Sequence, residues 1–159
     1  MIKTNYFELS KKEYFIVIVR RLIQKQWYVF LLLWLMAILF LLQDRSDYFS
    51  IFIATFSILY PIFILFTYWR FANAKENTMI FIGREHEIYP DKIITRMING
   101  SESTIQLSSF VNAVEIKNVY LLYVNKSNSI FFPKRAFRQP EDELWFHNNV
   151  FLKIKSNRL

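Results

Sequence analysis

The stretch WYVFLLLWLMAILFLL (Trp27–Leu42) and the stretch FSIFIATFSILYPIFILFTYW (Phe49–Trp69), with only Gln43–Tyr48 between them, decide the fold. The first is sixteen residues without a charge and the second twenty-one. A hydrocarbon layer about 30 Å thick takes roughly 20 apolar helical residues to cross. The second run reaches that length and the first falls just short. An amphipathic surface helix keeps a polar face, and neither run has one. The pair reads as a transmembrane helical hairpin.

The flanks give the pair an orientation. Lys3, Lys11, Lys12, Arg20, Arg21 and Lys25 precede the first run, against Glu8 and Glu13; the turn holds Arg45 with Asp44 and Asp47; Arg70, Lys75 and Arg84 follow the second run. Basic residues at the ends of spans mark the cytoplasmic side, so both termini are expected in the cytoplasm, as in a multi-pass membrane protein. That topology accounts for much of the net charge of +7. Residues 70–159 carry 13 basic and 9 acidic residues, well mixed, and a nucleic-acid partner would call for a concentrated basic patch. Trp27 and Tyr28 open the first span, and Tyr68 and Trp69 close the second, which places four amphipathic rings at one interface. Neither span carries an ionisable group of the kind that marks transport routes. Small residues at four-residue spacing, the usual helix-packing device, are not evident, with Ala54 and Ser57 three apart and Ala37 alone. Pro61 removes a backbone donor and predicts a kink. A cleaved leader is not expected, since a second span follows the first directly.

Outside the hairpin the pattern changes. Met1–Leu9 fits a strand or a disordered arm. Ser10-Lys11-Lys12-Glu13 is a capping box, which starts a helix over 11–25 that runs on into the first span, continuously or with a slight bend near Lys25. After Arg70 come short β-branched and aromatic runs at Thr78–Ile82, Glu85–Tyr89, Ile93–Ile98, Ser103–Leu107, Val111–Ile116, Val119–Val124 and Ile130–Phe132. Turn residues separate them, which predicts an antiparallel meander. Asn99-Gly100 predicts a type I′ hairpin. Pro140 with Glu141, Asp142 and Glu143 starts a last helix, and Lys153, Lys155 and Arg158 suit its end. Leu144, Trp145, Phe151 and Leu152 are its predicted apolar stripe. The expected divisions are an N-terminal segment with a helix (1–26), the hairpin (27–69, spans 27–42 and 49–69) and a cytoplasmic β domain with its helix (70–159). The fold class is α+β: hairpin, small antiparallel sheet or barrel, and a capping amphipathic helix.

The residues that carry chemistry are few. There is no cysteine, so disulfides and thiolate metal sites are out. With two glycines in the whole chain no Gly-rich phosphate loop can form. His86 and His147 stand on different elements without a clustered partner and are expected at the surface. Glu141, Asp142 and Glu143 read as helix N-terminal charge, and Ser108-Ser109 lacks the glycines of a nucleophile elbow. No cofactor, no metal and no enzymatic activity are expected.

The one segment that stands out is Ile130-Phe131-Phe132-Pro133-Lys134-Arg135-Ala136-Phe137. Proline stops a strand, two cations follow, and Phe137 returns to the core. Lys134, Arg135 and Arg138 are close enough in sequence to hold a phosphate or lipid headgroup together, or else to form a rigid connector with cations in solvent or paired to residues 141–143. This segment, Pro133-Lys134-Arg135-Ala136-Phe137 before a C-terminal helix, resembles the YcxB-like family of bacterial membrane proteins, with two spans and a cytosolic β domain. Ile82–Ile94 resembles that family's opening strands. Ile105–Glu115 resembles its middle but has Leu107 where a tryptophan is common and Ser109 where an acid is common. The resemblance implies a pleckstrin-homology-like or related small barrel and supplies no mechanism. Two functions fit this layout. One is a non-enzymatic, membrane-anchored binding or scaffold module with lipid, anionic-ligand or protein partners. The other is a sensor whose β domain binds a signalling nucleotide and drives hairpins of several copies to breach the membrane, a layout similar to two-span effectors of bacterial defence.

Overall fold

The computed structural model describes residues 1–42, 48–125 and 128–156. Most of the segment between the two apolar runs, Gln43–Asp47, lies outside the described residues, as do Arg158 and part of the segment Asn125–Asn128. The chain divides into two compact units, Ser10–Thr78 on one side and Met1–Leu9 with Met79–Leu159 on the other.

The first unit is a helical hairpin. Helix α1 (Lys11–Leu42) starts at the capping box, where the Glu13 amide donates to Ser10 Oγ at 3.1 Å and the Ser10 amide donates to Glu13 Oε2 at 2.9 Å. Its backbone leaves helical geometry at Gln26 (φ −127°, ψ 20°), one residue past the expected bend and just before the apolar run. Helix α2 (Tyr48–Asn73) remains one helix through Pro61. At about 1.5 Å per residue, both are long and apolar enough to cross a membrane. Ser50, Ala54 and Ser57 are buried along α2, and Ala37 along α1. Ser50 and Ala54 supply the four-residue spacing that Ala54 and Ser57 alone lack, so α2 does present a small-residue stripe of the kind that lets helices approach closely. The ring of Tyr14 stacks on Phe71 at 6.5 Å, which sets the start of α1 beside the end of α2.

The second unit is built from two antiparallel sheets and a helix. Strand β1 (Ile2–Lys3) pairs with β2 (Arg84–Ile88), β2 with β3 (Lys92–Met97), and β3 with β4 (Glu102–Gln106). Strands β5 (Asn112–Ile116), β6 (Val119–Tyr123) and β7 (Ser129–Pro133) form the other sheet. The expected single meander is thus split at the 3₁₀ turn Leu107–Ser109, and the N-terminal arm supplies an edge strand. The run Thr78–Ile82 is not a strand: Thr78–Phe81 is a one-turn helix, α3. The Arg84 guanidinium holds α3 by donating to the carbonyls of Met79, Ile80 and Ile82. These are helix-end acceptors that otherwise lack a partner.

The Asn99-Gly100 hairpin forms, but not as type I′. Gly100 alone has positive φ there (83°), and its amide bonds the Met97 carbonyl. This is a three-residue loop, a type I turn closed by a left-handed glycine. Across the outer face of the first sheet runs a charge ladder, Lys3–Glu85 (2.8 Å), Lys3–Glu87 (3.6 Å), Arg96–Glu87 and Arg96–Glu102 (2.9 Å).

The core lies under the C-terminal helix, which runs as α4 (Pro140–Phe146), a π turn (His147–Phe151) and α5 (Leu152–Ser156). Its buried face is Phe146, Val150, Phe151 and Ile154. The predicted stripe is corrected here, because Leu144 (62% exposed) and Leu152 (42%) face outward. The π turn buries the neighbours Val150 and Phe151 together. Phe146 packs on Phe132 (5.0 Å), Phe137 (5.1 Å) and Tyr120 (5.3 Å).

Candidate functional site

The segment Pro133–Arg138 is best followed residue by residue. Pro133 ends β7 opposite Val119, an edge position that tolerates a missing donor. The 3₁₀ turn Lys134–Ala136 follows. The Lys134 amide donates to the Asn118 carbonyl at 2.8 Å, and the Ala136 carbonyl accepts from the Asn5 amide at 2.7 Å. Phe137 enters the core.

The cations have different surroundings. Lys134 Nζ lies 2.7 Å from Glu115 Oε1 and 3.0 Å from Glu143 Oε1, and 4.9 Å above the Tyr120 ring. The Tyr120 hydroxyl donates to Glu143 Oε1 at 3.0 Å. The Glu115 hydrogen bond, with that of Glu143, holds the Lys134 ammonium above its ordinary pKa. Burial, reinforced by Glu143, pushes the Tyr120 phenol up to about 12. Arg135 turns to the N-terminal arm and donates to the Glu8 carbonyl at 3.0 Å. Arg138 is exposed and takes no part in this network. The motif therefore joins four pieces: the β5–β6 hairpin, the N-terminal arm, the C-terminal helix and the core.

Sequence reasoning missed Glu115 and Tyr120. They are direct cross-strand partners in β5 and β6, fixed there by the two-residue loop Lys117-Asn118. That loop length was the signal that could have paired them. The Lys134–Glu143 pairing was within reach, because the segment 141–143 follows closely in the chain.

His86 is not at the surface. It is fully buried, with Phe132 4.4 Å and Phe7 5.4 Å from its ring. Its amide donates to Thr4 Oγ1 at 2.8 Å, and its Nδ1 shares a 2.9 Å hydrogen bond with Thr95 Oγ1. Burial, with the Arg84 charge behind it, lowers the imidazole pKa to about 3. The Phe131 carbonyl opposes that shift weakly, yet no group meets hydrogen-bond geometry at Nε2. A neutral ring sealed among phenylalanines welds the arm to β2 and β3; it has no path to a substrate. His147 is partly exposed and stacks on Phe151 at 5.3 Å. Among the described residues no group of three His, Asp or Glu side chains could hold a metal ion.

Trp27, Tyr28 and Trp69 are exposed on the hairpin. The family model described as YcxB-like protein matches residues 88–144. The match takes in the whole Pro133–Phe137 motif, and the two long apolar helices lie outside it. Comparison with curated proteins and with solved structures gave no match.

Proposed function

We propose that this protein is a non-enzymatic, membrane-anchored binding module, with the hairpin in a bilayer and the β unit on its cytoplasmic face. One observation carries the reading. Over the two uncharged runs, 27–42 and 49–69, the described hairpin surface is largely apolar, with Leu31, Leu35, Phe52, Phe56, Ile62 and Phe63 exposed. An apolar surface of this kind suits lipid rather than water. The small-barrel architecture of the pleckstrin-homology type belongs to the same proposal. Its support is two antiparallel sheets closed over by a C-terminal helix, of which residues 88–144 match the YcxB-like family model.

The geometry argues against a joint phosphate site at Lys134, Arg135 and Arg138. Two carboxylates already neutralise Lys134, and Arg135 is drawn to the arm. Arg135 and Arg138 are both exposed, and Arg138, outside this network, suits a contact with an anionic lipid or partner.

Impermeant maleimide labelling tests the anchoring, since the chain has no native cysteine. Ser46→Cys should react in intact cells, and Asp91→Cys only after the membrane is opened. Labelling of Asp91→Cys in intact cells, or release of the protein by alkaline carbonate, would overturn the reading.

A further inference from the structure

Both connections between the β unit and the hairpin leave from one end of the first sheet. Phe7 pairs with Arg84, and Leu9 closes the arm just before α1. On the other connection, the Met79 and Ile80 carbonyls sit on the Arg84 guanidinium, and only the 3₁₀ turn Lys75–Asn77 separates α2 from α3. The tip of the β3–β4 hairpin lies at this same end, where the Ile98 amide donates to the Gly83 carbonyl at 3.0 Å. Gly83 is also roofed by Tyr6: a Cβ there would collide with the phenol ring, whose outer end would have to move aside.

Three large apolar side chains project around Gly83 and Arg84. Ile98 is 72% exposed, Met79 55% and Tyr6 47%. Turn tips are ordinarily polar, with Gly, Asn, Asp or Ser at their exposed positions. At the β3–β4 tip exposed Asn99, Gly100 and Ser101 follow that rule and Ile98 departs from it, whereas the opposite end of the sheet has exposed Pro90 and Asp91 joining β2 to β3. Met79, Ile98 and Tyr6 thus project at the end of the sheet that leads through the short turn Lys75–Asn77 into α2, and the medium nearest along the chain is the one that takes up the hairpin.

We propose that the Tyr6–Met79–Ile98 end of the β unit is a lipid-contact surface, seated in the headgroup layer of the bilayer that holds the hairpin. The inference rests on the anchoring reading and adds a second, peripheral membrane contact. Side chains of this kind bury in the boundary between headgroups and acyl chains, as the apolar faces of interfacial helices do. The contact depends on apolar burial, so zwitterionic and anionic membranes both support it.

The test is depth measurement by spin labels on the full chain in vesicles of phosphatidylcholine, with and without phosphatidylglycerol. Single variants Ile98→Cys, Met79→Cys, Asp91→Cys and Leu35→Cys are labelled, and collisions with oxygen and with a water-soluble nickel chelate are compared. Labels at 98 and 79 should collide more with oxygen and less with nickel than the label at 91, in both lipid mixtures, with 35 deeper still. If 35 reads deep while 98 and 79 match 91, the lipid-contact surface is refuted and the anchor stands. If 35 itself reads aqueous, the anchor falls, and this inference with it. Shielding of 98 from both reagents, with spin–spin broadening, would mean contact with a second copy and would also refute the proposal.

Discussion

The hairpin and the β unit are inside-out relative to one another. Along α2 the hidden residues are Ser50, Ala54, Ser57 and Ala72, while Phe52, Phe56, Ile62 and Phe63 face outward. In the β unit Ile88, Leu122, Phe132 and Phe146 are hidden, while Glu102 and Glu141 face outward. The same apolar side chains do opposite jobs. In the β unit, burial takes them out of water, and their packing supplies the stability. If the hairpin lies in lipid, as proposed, its apolar side chains need no hiding, and close approach of two backbones decides which residues go inside.

The sharpest way to break this contrast is a pair of truncations. Phe146→Ala removes a fully buried ring and should cost about 3–5 kcal/mol. Phe63→Ala leaves no enclosed cavity and should cost under about 1 kcal/mol in detergent micelles. Amide exchange in β5–β7 and in the hairpin, followed through urea unfolding, reads both. Equal losses would erase the distinction.

The next effect comes from His86. With a folded pKa near 3 and an unfolded value near 6.5, both states are neutral above pH 6.5. Below it the unfolded chain takes up a proton that the folded one refuses. Stability should therefore fall as pH drops from 6.5 toward 3, by about 2 kcal/mol at pH 5. Urea midpoints at pH 7 and pH 5 for the wild type and for His86→Phe test this. The pH-dependent loss should shrink in the variant, and an unchanged loss would assign the acid sensitivity elsewhere.

A smaller effect is expected at the motif. Lys134→Met keeps the apolar stem over Tyr120 but leaves Glu115 and Glu143 without their cation. The loss should be about 1 kcal/mol, because these side chains are partly solvated. It should appear as faster exchange in β5 and at the start of α4. Lipid binding lost with no change in stability would instead restore Lys134 as a ligand contact. Smallest is Lys117→Gly. Lys117 holds φ at 53°, a region that burdens a side chain. Relief should raise stability by about 0.5 kcal/mol, net of glycine's entropy cost, read as a small upward shift in the urea midpoint.

Legibility followed the same divide. Apolar length marked both helices of the hairpin, because a span is a local property of composition. Ser10 and Glu13 marked the start of α1 because a capping box closes within one turn. Most strand runs were also legible, since turns and β-branched residues act locally. Thr78–Ile82 was not: its apolar composition suits a strand, but Arg84, reaching back to its carbonyls, holds it in a helical turn. The C-terminal stripe failed for a similar reason, since a π turn shifts the face that helical periodicity assigns.

The sequence by itself determined the two apolar helices, the order of strands after them and the segment similar to the YcxB-like family, all of which depend on neighbours in the chain. Only the tertiary structure decided what the motif touches. Lys134 meets Glu115 and Glu143, Arg135 meets Glu8, and Ala136 meets Asn5. Most of these partners are distant in sequence, and no local pattern encodes them. The same holds for Met1–Leu9, whose place at the sheet edge depends on Thr4 and Phe7 finding His86 and Arg84. Pairing across a long stretch of chain is fixed by the whole fold, because its entropy cost is offset only when the rest of the core is in place.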